Sequence, residues 1–255
     1  MDNFSLILSD LDGTLFHDDK SISDYSKRII TEAQKKGVLF GICTSRAGVN
    51  AIKYLDGLKP DVFITNGGGI VNCKDKKIYS CEFTVDEVHA LLKSAFEVFG
   101  PDVTLSADNE HGLYSNSKEE LPDKFWEYNN FSDFNEPVMK FCIESLDKAR
   151  IEKVASSVGL NQIDYLPFSD IPWYKLSKKG ATKEHAIKEL CSHLKITPAQ
   201  IVAFGDDFND IGMLKLCGKG IAMKNAIPEV RQIADDVCDS NEADGAAKWI
   251  EEFIL

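Results

Sequence analysis

Residues 4–15 of the chain, FSLILSDLDGTL, place two aspartates directly after a short apolar run. Apart from Ser5, the run at residues 4–8 is apolar, which is typical of a strand that is buried on both faces in a parallel sheet. Asp10 and Asp12 follow one residue apart, before a glycine at which the chain can turn. Two carboxylates at the end of a buried strand repel each other and are costly to desolvate. The stretch therefore predicts a buried strand whose end meets a positively charged group.

Apolar runs and helical patterns alternate on both sides of the middle of the chain. The predicted strands are residues 4–8, 38–43, 62–65, 201–204, 220–223 and Val237, and the predicted helices are residues 23–36, 46–55, 182–194, 211–216, 226–234 and 243–253. Continuous apolar strands separated by helices indicate a parallel sheet covered on both faces. The expected fold class is therefore α/β.

The middle of the chain follows a different pattern. It begins with a predicted hairpin at residues 70–83 and a helix whose capping box is formed by Thr84 and Glu87. Further predicted elements are strands at residues 103–106, 112–115 and 138–143, a loop-rich acidic stretch at 119–136, a helix from Asp147, and two short strands before Lys178. We therefore predict an α+β unit at residues 81–177, inserted into a core made of residues 1–80 and 178–255.

The composition is that of an ordinary globular protein. The chain has 255 residues, of which 44% are hydrophobic and 27% charged, and this length suits a core domain that carries a smaller inserted one. Its formal net charge of -12 at pH 7 argues against nucleic acid or an anionic membrane surface as the main partner. A small anionic ligand stays compatible with this charge, because a local cation can dominate the field inside one cleft.

The cysteines and the first residues indicate the cytoplasm. Seven cysteines are scattered singly, without a C-x-x-C pair, which is unlike a disulfide framework or a zinc site and suits a reducing compartment. The first residues lack the basic region and the long apolar stretch of a signal peptide, and no window approaches a membrane span. We therefore expect a cytoplasmic protein with no membrane partner.

Four polar clusters follow predicted strands, at the edge where open parallel sheets bind their ligands. They are SDLDGT (residues 9–14), CTSR (43–46), TNGGG (65–69) and GDDFND (205–210). Lys183 begins the helix that leads into the last of these strands. Together the clusters and the lysine supply carboxylates, a hydroxyl, backbone donors and one ammonium.

Each acidic cluster has an alternative interpretation. An EF-hand starting at Asp10 fails, because Leu15 and Ser21 stand where that loop needs Gly and Glu. A plain turn and a glycosyltransferase-type D-x-D remain open for SDLDGT, although the latter does not predict the other clusters. A helix N-cap explains one residue of GDDFND, whereas three carboxylates and an asparagine within it suit a hard divalent cation such as Mg²⁺. Thr44 and Lys183, taken alone, are typical of a strand-end cap and a solvated helix face.

In this order the four clusters resemble the motifs of the haloacid dehalogenase (HAD) superfamily of aspartyl-phosphate phosphatases. DLDGTL is similar to the first motif, CTSR to the second, KKGATK to the third and GDDFND to the fourth, although Ser45 stands where many relatives have Gly. The tail segments GIAMKNAIPEVRQIAD and SNEADGAAKWIEE follow the pattern of the Cof-type subfamily (subclass IIB), so the resemblance extends over nearly the whole chain. It implies a Rossmann-like core with an inserted C2-type cap that covers the leaving group.

The resemblance also implies roles for individual residues. It implies a catalytic set of Asp10, Asp12, Thr44 and Lys183, a Mg²⁺ site of Asp10, Asp12, Asp206 and Asp210, and substrate contacts from Thr44, Ser45, Arg46, Asn66, Gly67, Lys183 and Asn209. Asp10 is the implied nucleophile, and Asp12 the acid and base that also gives the metal its backbone carbonyl. Asn209 is expected to orient Lys183 or Asp206. For Asn66 and Gly67, a simple turn is an equal alternative.

Two expectations about pKa values follow. An aspartate with an ordinary pKa of about 3.9 is ionised at neutral pH and can attack phosphorus. Asp12 must instead carry a proton when the alcohol leaves, and we expect the neighbouring carboxylate of Asp10 to raise its pKa.

The expected function is that of a Mg²⁺-dependent phosphatase of small phosphorylated metabolites, with sugar phosphates as the expected class. A sugar phosphomutase is the alternative among enzymes, because related capped enzymes return the phosphoryl group to the sugar. A non-catalytic sensor of a phosphorylated ligand is the alternative outside enzymes. The intact acidic and basic residues of the four motifs argue against the sensor.

Overall fold

The structure, a computed structural model, describes residues 4–119, 126–168 and 171–255. The chain forms two compact units: Met1–Ser80 with Thr182–Leu255 make the first unit, and Cys81–Ala181 make the inserted unit. Part of the loop-rich stretch expected at residues 119–136 lies outside the described residues.

The first unit begins with strands and helices that alternate as the apolar runs predict. These elements are β1 (Leu6–Ser9), α1 (Asp24–Lys35), β2 (Leu39–Cys43), α2 (Gly48–Ile52), β3 (Val62–Thr65), β4 (Ile70–Cys73) and β5 (Lys76–Ser80). Ser23 caps α1, because its side chain accepts a hydrogen bond from the backbone N–H of Ser26. The predicted hairpin of β4 and β5 is confirmed, and Lys74 and Asp75 at its tip both have positive φ, as a tight two-residue hairpin turn requires.

The inserted unit has its own sheet and its own apolar core. Its elements are α3 (Val85–Phe99), β6 (Leu105–Asp108), β7 (Leu113–Ser115), β8 (Glu127–Tyr128), β9 (Lys140–Glu144), α4 (Lys148–Ala155), β10 (Ile163–Pro167) and β11 (Trp173–Lys178). The strand order of the sheet is β10-β11-β9-β6-β7-β8. Thr84 and Glu87 form the predicted capping box of α3, and the buried Val88 of that helix shares a core with Phe141 of β9.

The chain then completes the first unit. The remaining elements are α5 (Lys183–Leu194), β12 (Ile201–Gly205), α6 (Ile211–Leu216), β13 (Lys219–Met223), α7 (Pro228–Ile233), β14 (Asp236–Cys238) and α8 (Gly245–Phe253). The eight strands of this unit form one sheet in the order β14-β13-β12-β1-β2-β3-β4-β5. Strands β14 to β3 in that order are parallel, whereas the β3–β4 and β4–β5 pairs are antiparallel. The predicted α/β fold class, with an α+β insertion, is confirmed.

Strand β1 lies at the centre of the sheet, and its position explains where the polar clusters meet. It pairs with β12 on one side and β2 on the other, so that Ser9 lies opposite both Phe204 and Ile42. The chain moves outward from β1 in both directions, and this reversal of strand order opens a crevice at the carboxyl ends of the strands. The residues that follow β1, β2 and β12 therefore share one edge of the sheet.

Two features of the structure relate to the expected compartment: the length and polarity of its helices and the state of its cysteines. None of the helices in the described parts of the chain combines the length and the apolar character needed to span a membrane. All seven cysteines are free thiols.

Candidate active site

Lys183 lies between two aspartates at the carboxyl edge of the parallel strands. Its Nζ atom donates hydrogen bonds to Oδ1 of Asp10 and Oδ1 of Asp210, each at 2.6 Å. The lysine side chain is 2% exposed, so it does not lie on a solvated helix face. Burial alone would lower the pKa of Lys183, but Asp10 and Asp210 outweigh it and raise this pKa above its usual range. Lys183 is therefore the cation that the opening stretch of sequence requires.

The pKa of Asp10 differs from the sequence expectation. Burial raises it to about 8, Lys183 opposes the shift, and the carboxylates of Asp210 and Asp206 add to it. The expected ordinary pKa for this residue was wrong, because the end of β1 is almost closed to solvent. A divalent cation at these carboxylates would favour the ionised form of Asp10.

Three carboxylates converge at this point. Asp10, Asp206 and Asp210 offer oxygen atoms that all lie within 4.8 Å of one another. Oδ1 of Asp206 accepts a hydrogen bond from the hydroxyl of Thr14 at 2.9 Å. Within the described ranges, no hydrogen bond reaches Oδ2 of Asp10 or Oδ2 of Asp206. Carboxylate oxygens with free lone pairs are the donors that Mg²⁺ prefers, so the residues present fit that metal.

Asp210 organises the cluster. Its Oδ1 accepts from Lys183, and its Oδ2 accepts from the backbone N–H groups of Asp206 and Asp207 at 3.0 and 3.1 Å. Both oxygens are therefore engaged, and the carboxylate fixes the loop that carries Asp206. Any contribution of Asp210 to a metal must compete with these three bonds.

The glycine in the first motif allows the two acidic loops to approach each other. Residues Leu11–Leu15 form a tight turn with non-helical backbone angles at Asp12 and Gly13, in which Gly13 has a positive φ of 71°. A Cβ atom at Gly13 would overlap the carboxylate of Asp206. The next residue, Thr14, donates the hydrogen bond to that carboxylate. Thr14 was not among the residues predicted from the sequence, although its place in the DLDGT cluster is a signal that could have identified it.

Arg46 binds Asp12 with a fork of two hydrogen bonds. Its Nε donates to Oδ2 of Asp12 at 2.5 Å, and its Nη2 donates to Oδ1 at 2.7 Å. Lys20 adds an ion pair to the same carboxylate, with Nζ 3.0 Å from Oδ1. Burial alone would raise the pKa of Asp12, but the hydrogen bonds from Arg46 and Lys20 outweigh it and lower this pKa below its ordinary value.

One sequence expectation is corrected by this pair, and the expected contact of Arg46 with substrate stays a prediction. The prediction that the pKa of Asp12 is raised was wrong. The two cations bonded to its carboxylate, Arg46 and Lys20, lower this pKa instead. Arg46, expected on the substrate, uses the two donors on one side of its guanidinium for Asp12. Lys20 was missed, and nothing in the polar loop HDDK distinguishes it from a solvated lysine.

The loops after β2 and β3 are joined at the same edge of the sheet. The hydroxyl oxygen of Thr44 accepts from the backbone N–H of Arg46 at 3.1 Å, and its carbonyl accepts from Gly67 at 3.0 Å. The backbone N–H of Asn66 donates to the carbonyl of Arg46 at 2.8 Å. Ser45 is exposed at this edge. The structure thus brings the predicted residues of the second and third clusters together.

Asn66 is buried in an unusual state. Its φ is 55°, and both polar atoms of its side-chain amide are buried without a hydrogen-bond partner. Residues 66–69 form the turn that was the alternative for this segment. The turn leaves the side-chain amide unpaired, at a cost of about 1–3 kcal/mol, and the contact of Asn66 with substrate stays a prediction.

Asn209 does not take its expected place. Its side chain is exposed, and the orienting contacts come from other residues: Thr14 bonds Asp206, and Asp210 bonds Lys183. The expectation that Asn209 orients Lys183 or Asp206 was therefore wrong. Only the fold reveals that nearer side chains occupy these positions.

Comparisons with known proteins agree with this geometry. The sequence profile of haloacid dehalogenase-like hydrolases matches residues 7–250. The chain is 26% identical over 259 residues to the 5-amino-6-(5-phospho-D-ribitylamino)uracil phosphatase YcsE of Bacillus subtilis (strain 168), covering 99% of this chain and 97% of the relative.

Two solved structures share the fold over almost their full length. A haloacid dehalogenase-like hydrolase from Bacteroides thetaiotaomicron has a TM-score of 0.83 at 22% identity, covering 98% of this chain and 100% of that one. The HAD subclass IIB sugar phosphatase BT4131 has a TM-score of 0.77 at 23% identity, covering 98% of both chains.

Proposed function

The chain belongs to the haloacid dehalogenase-like hydrolase family as a Cof-type phosphatase, and we propose that it uses Mg²⁺ to hydrolyse small phosphorylated metabolites through an aspartyl-phosphate. The observation that carries this proposal is the convergence of Lys183 and the carboxylates of Asp10, Asp206 and Asp210 at one end of the central strands. A divalent cation offsets both the repulsion between these carboxylates and the negative charge of a phosphoryl group.

In the first step, an oxygen of the Asp10 carboxylate attacks phosphorus. This step uses the protonated form of Asp12, which its lowered pKa makes a minor form of the free protein at neutral pH. The bond between phosphorus and the ester oxygen breaks, and that oxygen takes the proton from Asp12 and leaves as the alcohol. Asp10 then carries the phosphoryl group, and Asp12 is ionised.

In the second step, water attacks the phosphorus of the aspartyl-phosphate. Asp12 takes a proton from this water, and the bond between the Asp10 oxygen and phosphorus breaks. Inorganic phosphate leaves, while Asp10 and Asp12 return to their starting protonation states. The sum is a phosphomonoester and water converted into an alcohol and phosphate.

The proposed metal site uses carboxylate oxygens that accept no hydrogen bond from the described residues, together with one backbone carbonyl. The side chains of Asp10 and Asp206 and the backbone carbonyl of Asp12 would hold Mg²⁺, with Asp210 in support. When bound, Mg²⁺ neutralises negative charge on these carboxylates and on the phosphoryl oxygens. Partial burial raises the pKa of Asp206 to about 6, against the hydrogen bond from Thr14 and with help from Asp210. Without a bound cation, each carboxylate therefore disfavours the ionised form of its neighbours, and this supports a cation site.

The phosphoryl oxygens need donors, and we propose that residues of the second and third clusters supply them together with Lys183. The Thr44 hydroxyl already accepts a hydrogen bond through its oxygen, so its own hydrogen is available for a phosphoryl oxygen. Lys183 supplies an ammonium beside Asp10. The unpaired amide of Asn66 supports a contact with substrate, with Ser45 and Gly67 beside it. Such positioned donors provide most of the catalysis in phosphoryl transfer.

Sugar phosphates are the substrate class that we propose. The sugar phosphatase BT4131 shares the fold, whereas YcsE acts on a phosphorylated ribitylaminouracil, so the relatives differ in the alcohol that carries the phosphate. We place the activity in the cytoplasm, because the seven free cysteines suit a reducing compartment.

Phosphate release from a panel of phosphorylated sugars and nucleotides tests this function. Turnover should require Mg²⁺, stop with a chelator, and disappear in Asp10→Asn. Interconversion of hexose 1- and 6-phosphates without phosphate release would indicate a phosphomutase instead. A folded wild type that releases phosphate from no substrate would indicate a sensor.

A further inference from the structure

The fork between Arg46 and Asp12 has the geometry of a rigid restraint. Its two bonds, at 2.5 and 2.7 Å, engage both oxygens of the carboxylate. A bidentate pair of this kind fixes the plane of the carboxylate as well as its position. A single bond would leave the carboxylate free to rotate.

Arg46 is itself held at several points. Its backbone N–H donates to Thr44 and its carbonyl accepts from Asn66. Its guanidinium lies over the rings of Phe16 and Tyr54, with the guanidinium carbon 5.8 and 5.2 Å from the two ring centres. Arg46 is therefore fixed before it reaches Asp12.

Apart from Arg46, Asp12 has one cationic partner, the partly exposed Lys20, whose Nζ lies 3.0 Å from Oδ1. Asp12 lies in the non-helical part of the turn, directly before the positive φ of Gly13. Its side chain is 40% exposed, and it does not belong to the carboxylate group formed by Asp10, Asp206 and Asp210. A single ion pair with a partly exposed lysine leaves a carboxylate free to change rotamer, whereas proton transfer requires an oxygen within hydrogen-bond reach of its target.

We propose that Arg46 is a positioning residue for Asp12, and that its fork aims this carboxylate at the oxygen of the leaving alcohol. Arg46 then acts on the reaction through Asp12 and makes no substrate contact of its own. This inference rests on the proposed phosphatase function.

Substrates with different leaving groups distinguish the two roles. An alkyl phosphate needs a proton from Asp12 when its alkoxide leaves, whereas p-nitrophenyl phosphate leaves as a stable phenolate. In Arg46→Ala we expect kcat for the alkyl phosphate to fall by about 10- to 100-fold, a part of the about 10²- to 10⁴-fold that a general acid contributes. The kcat of p-nitrophenyl phosphate should fall by less than about threefold in its phosphorylation step, and KM should stay nearly constant for both.

Further variants separate positioning from a loss of structure. Arg46→Lys, which can make one bond in place of two, should recover part of the kcat for the alkyl phosphate. The double variant Arg46→Ala with Asp12→Asn should be no slower than Asp12→Asn alone, since both changes remove one function. Arg28→Ala is the matched control, because that arginine pairs with exposed glutamates on α1 and α8. If Arg46→Ala does not fold, the same comparison is made with Arg46→Lys and with the double variant of Arg46→Lys and Asp12→Asn.

A rise in KM for both substrates with kcat unchanged would overturn the proposal, because it would place Arg46 on the substrate. An equal fall in the rate of the phosphorylation step for both substrates would overturn it as well, as would additive effects in the double variant. These outcomes require a wild type that turns over with Mg²⁺ and loses turnover in Asp10→Asn. A wild type without any turnover overturns the phosphatase function itself, and the positioning role with it.

Discussion

The Nζ atom of Lys183 lies 2.6 Å from Oδ1 of Asp10, although 173 positions separate the two residues in the sequence. The contact exists because β1 and the start of α5 meet at the same edge of the parallel sheet. Both partners are buried, so each depends on the other for compensation of its charge.

Replacement of this lysine should damage both stability and catalysis. Lys183→Met keeps the apolar stem but leaves Asp10 and Asp210 without their cation. Removal of one partner from a buried ion pair costs about 3–5 kcal/mol in the free energy of unfolding, and loss of one charge-stabilising donor lowers kcat by about 10²- to 10³-fold. Urea unfolding and phosphate release measure the two effects. Lys188→Met, on the exposed face of the same helix, is the control, and equal behaviour of the two variants would contradict the expectation.

Asp206→Asn should stabilise the protein in the absence of metal. The carboxyl has an ordinary pKa of 3.8 and a native pKa of about 6, so between these values the native state binds a proton that the unfolded state does not. Stability from this group therefore rises as the pH falls through about 6, and its ionised form is unfavourable at pH 7.5. The amide should add about 1–2 kcal/mol in chelator, after allowance for solvent screening.

Thermal unfolding at pH 7.5 in chelator measures this gain. Asp102→Asn, in an exposed turn, serves as the control and should leave the Tm unchanged. A lower Tm for Asp206→Asn would mean that its carboxylate stabilises the protein without a cation.

Mg²⁺ affinity should depend on pH through the same carboxylate. A ligand must lose its proton to bind a metal, and Asp206 has a pKa of about 6. Its ionised fraction falls by about tenfold between pH 7 and pH 5, and the association constant should fall at least as much. Calorimetric titration with Mg²⁺ across this range provides the measurement. An affinity that is constant between pH 7 and pH 5 would exclude Asp206 as a ligand.

Gly13→Ala should weaken the metal site as well as the fold. Gly13 has a positive φ of 71°, and an added Cβ would overlap the carboxylate of Asp206. Gly37 also has a positive φ, of 89°, but a Cβ there meets nothing within 4 Å. Both variants should lose about 1 kcal/mol of stability to backbone strain, and only Gly13→Ala should also lose Mg²⁺ affinity. Equal Mg²⁺ affinities in the two variants would show that the close approach of Gly13 does not matter for the position of the Asp206 carboxylate.

The sheet and the acidic cluster could be predicted because both follow from local pattern. Apolar runs predict β1, β2, β3 and β12, and parallel strands bring their carboxyl ends together. Asp10, Asp206 and Asp210 could be predicted as site residues, because several carboxylates placed together after buried strands repel one another and do not stabilise the fold. Their individual roles came from the resemblance to a family and stay proposals.

The side-chain partners could not be predicted, because they depend on distances that the sequence does not contain. Arg46 was expected on the substrate but lies against Asp12, and Lys20 reaches the same carboxylate from an ordinary polar loop. Thr14 takes the orienting position expected of Asn209. In each case, two loops that are distant in sequence meet, and the nearest donor makes the bond.

Transfer of the phosphoryl group to Asp10 forms a covalent intermediate, and a burst experiment detects it. Asp12→Asn should still react once with p-nitrophenyl phosphate in Mg²⁺, because this leaving group needs no proton, and should then stall without a base for water. We expect a burst of about one equivalent of nitrophenol per site, a trapped phosphoryl group on Asp10, and no burst when Asp10→Asn is added. Steady turnover without a burst, or a burst that survives Asp10→Asn, would show that Asp10 does not carry the phosphoryl group.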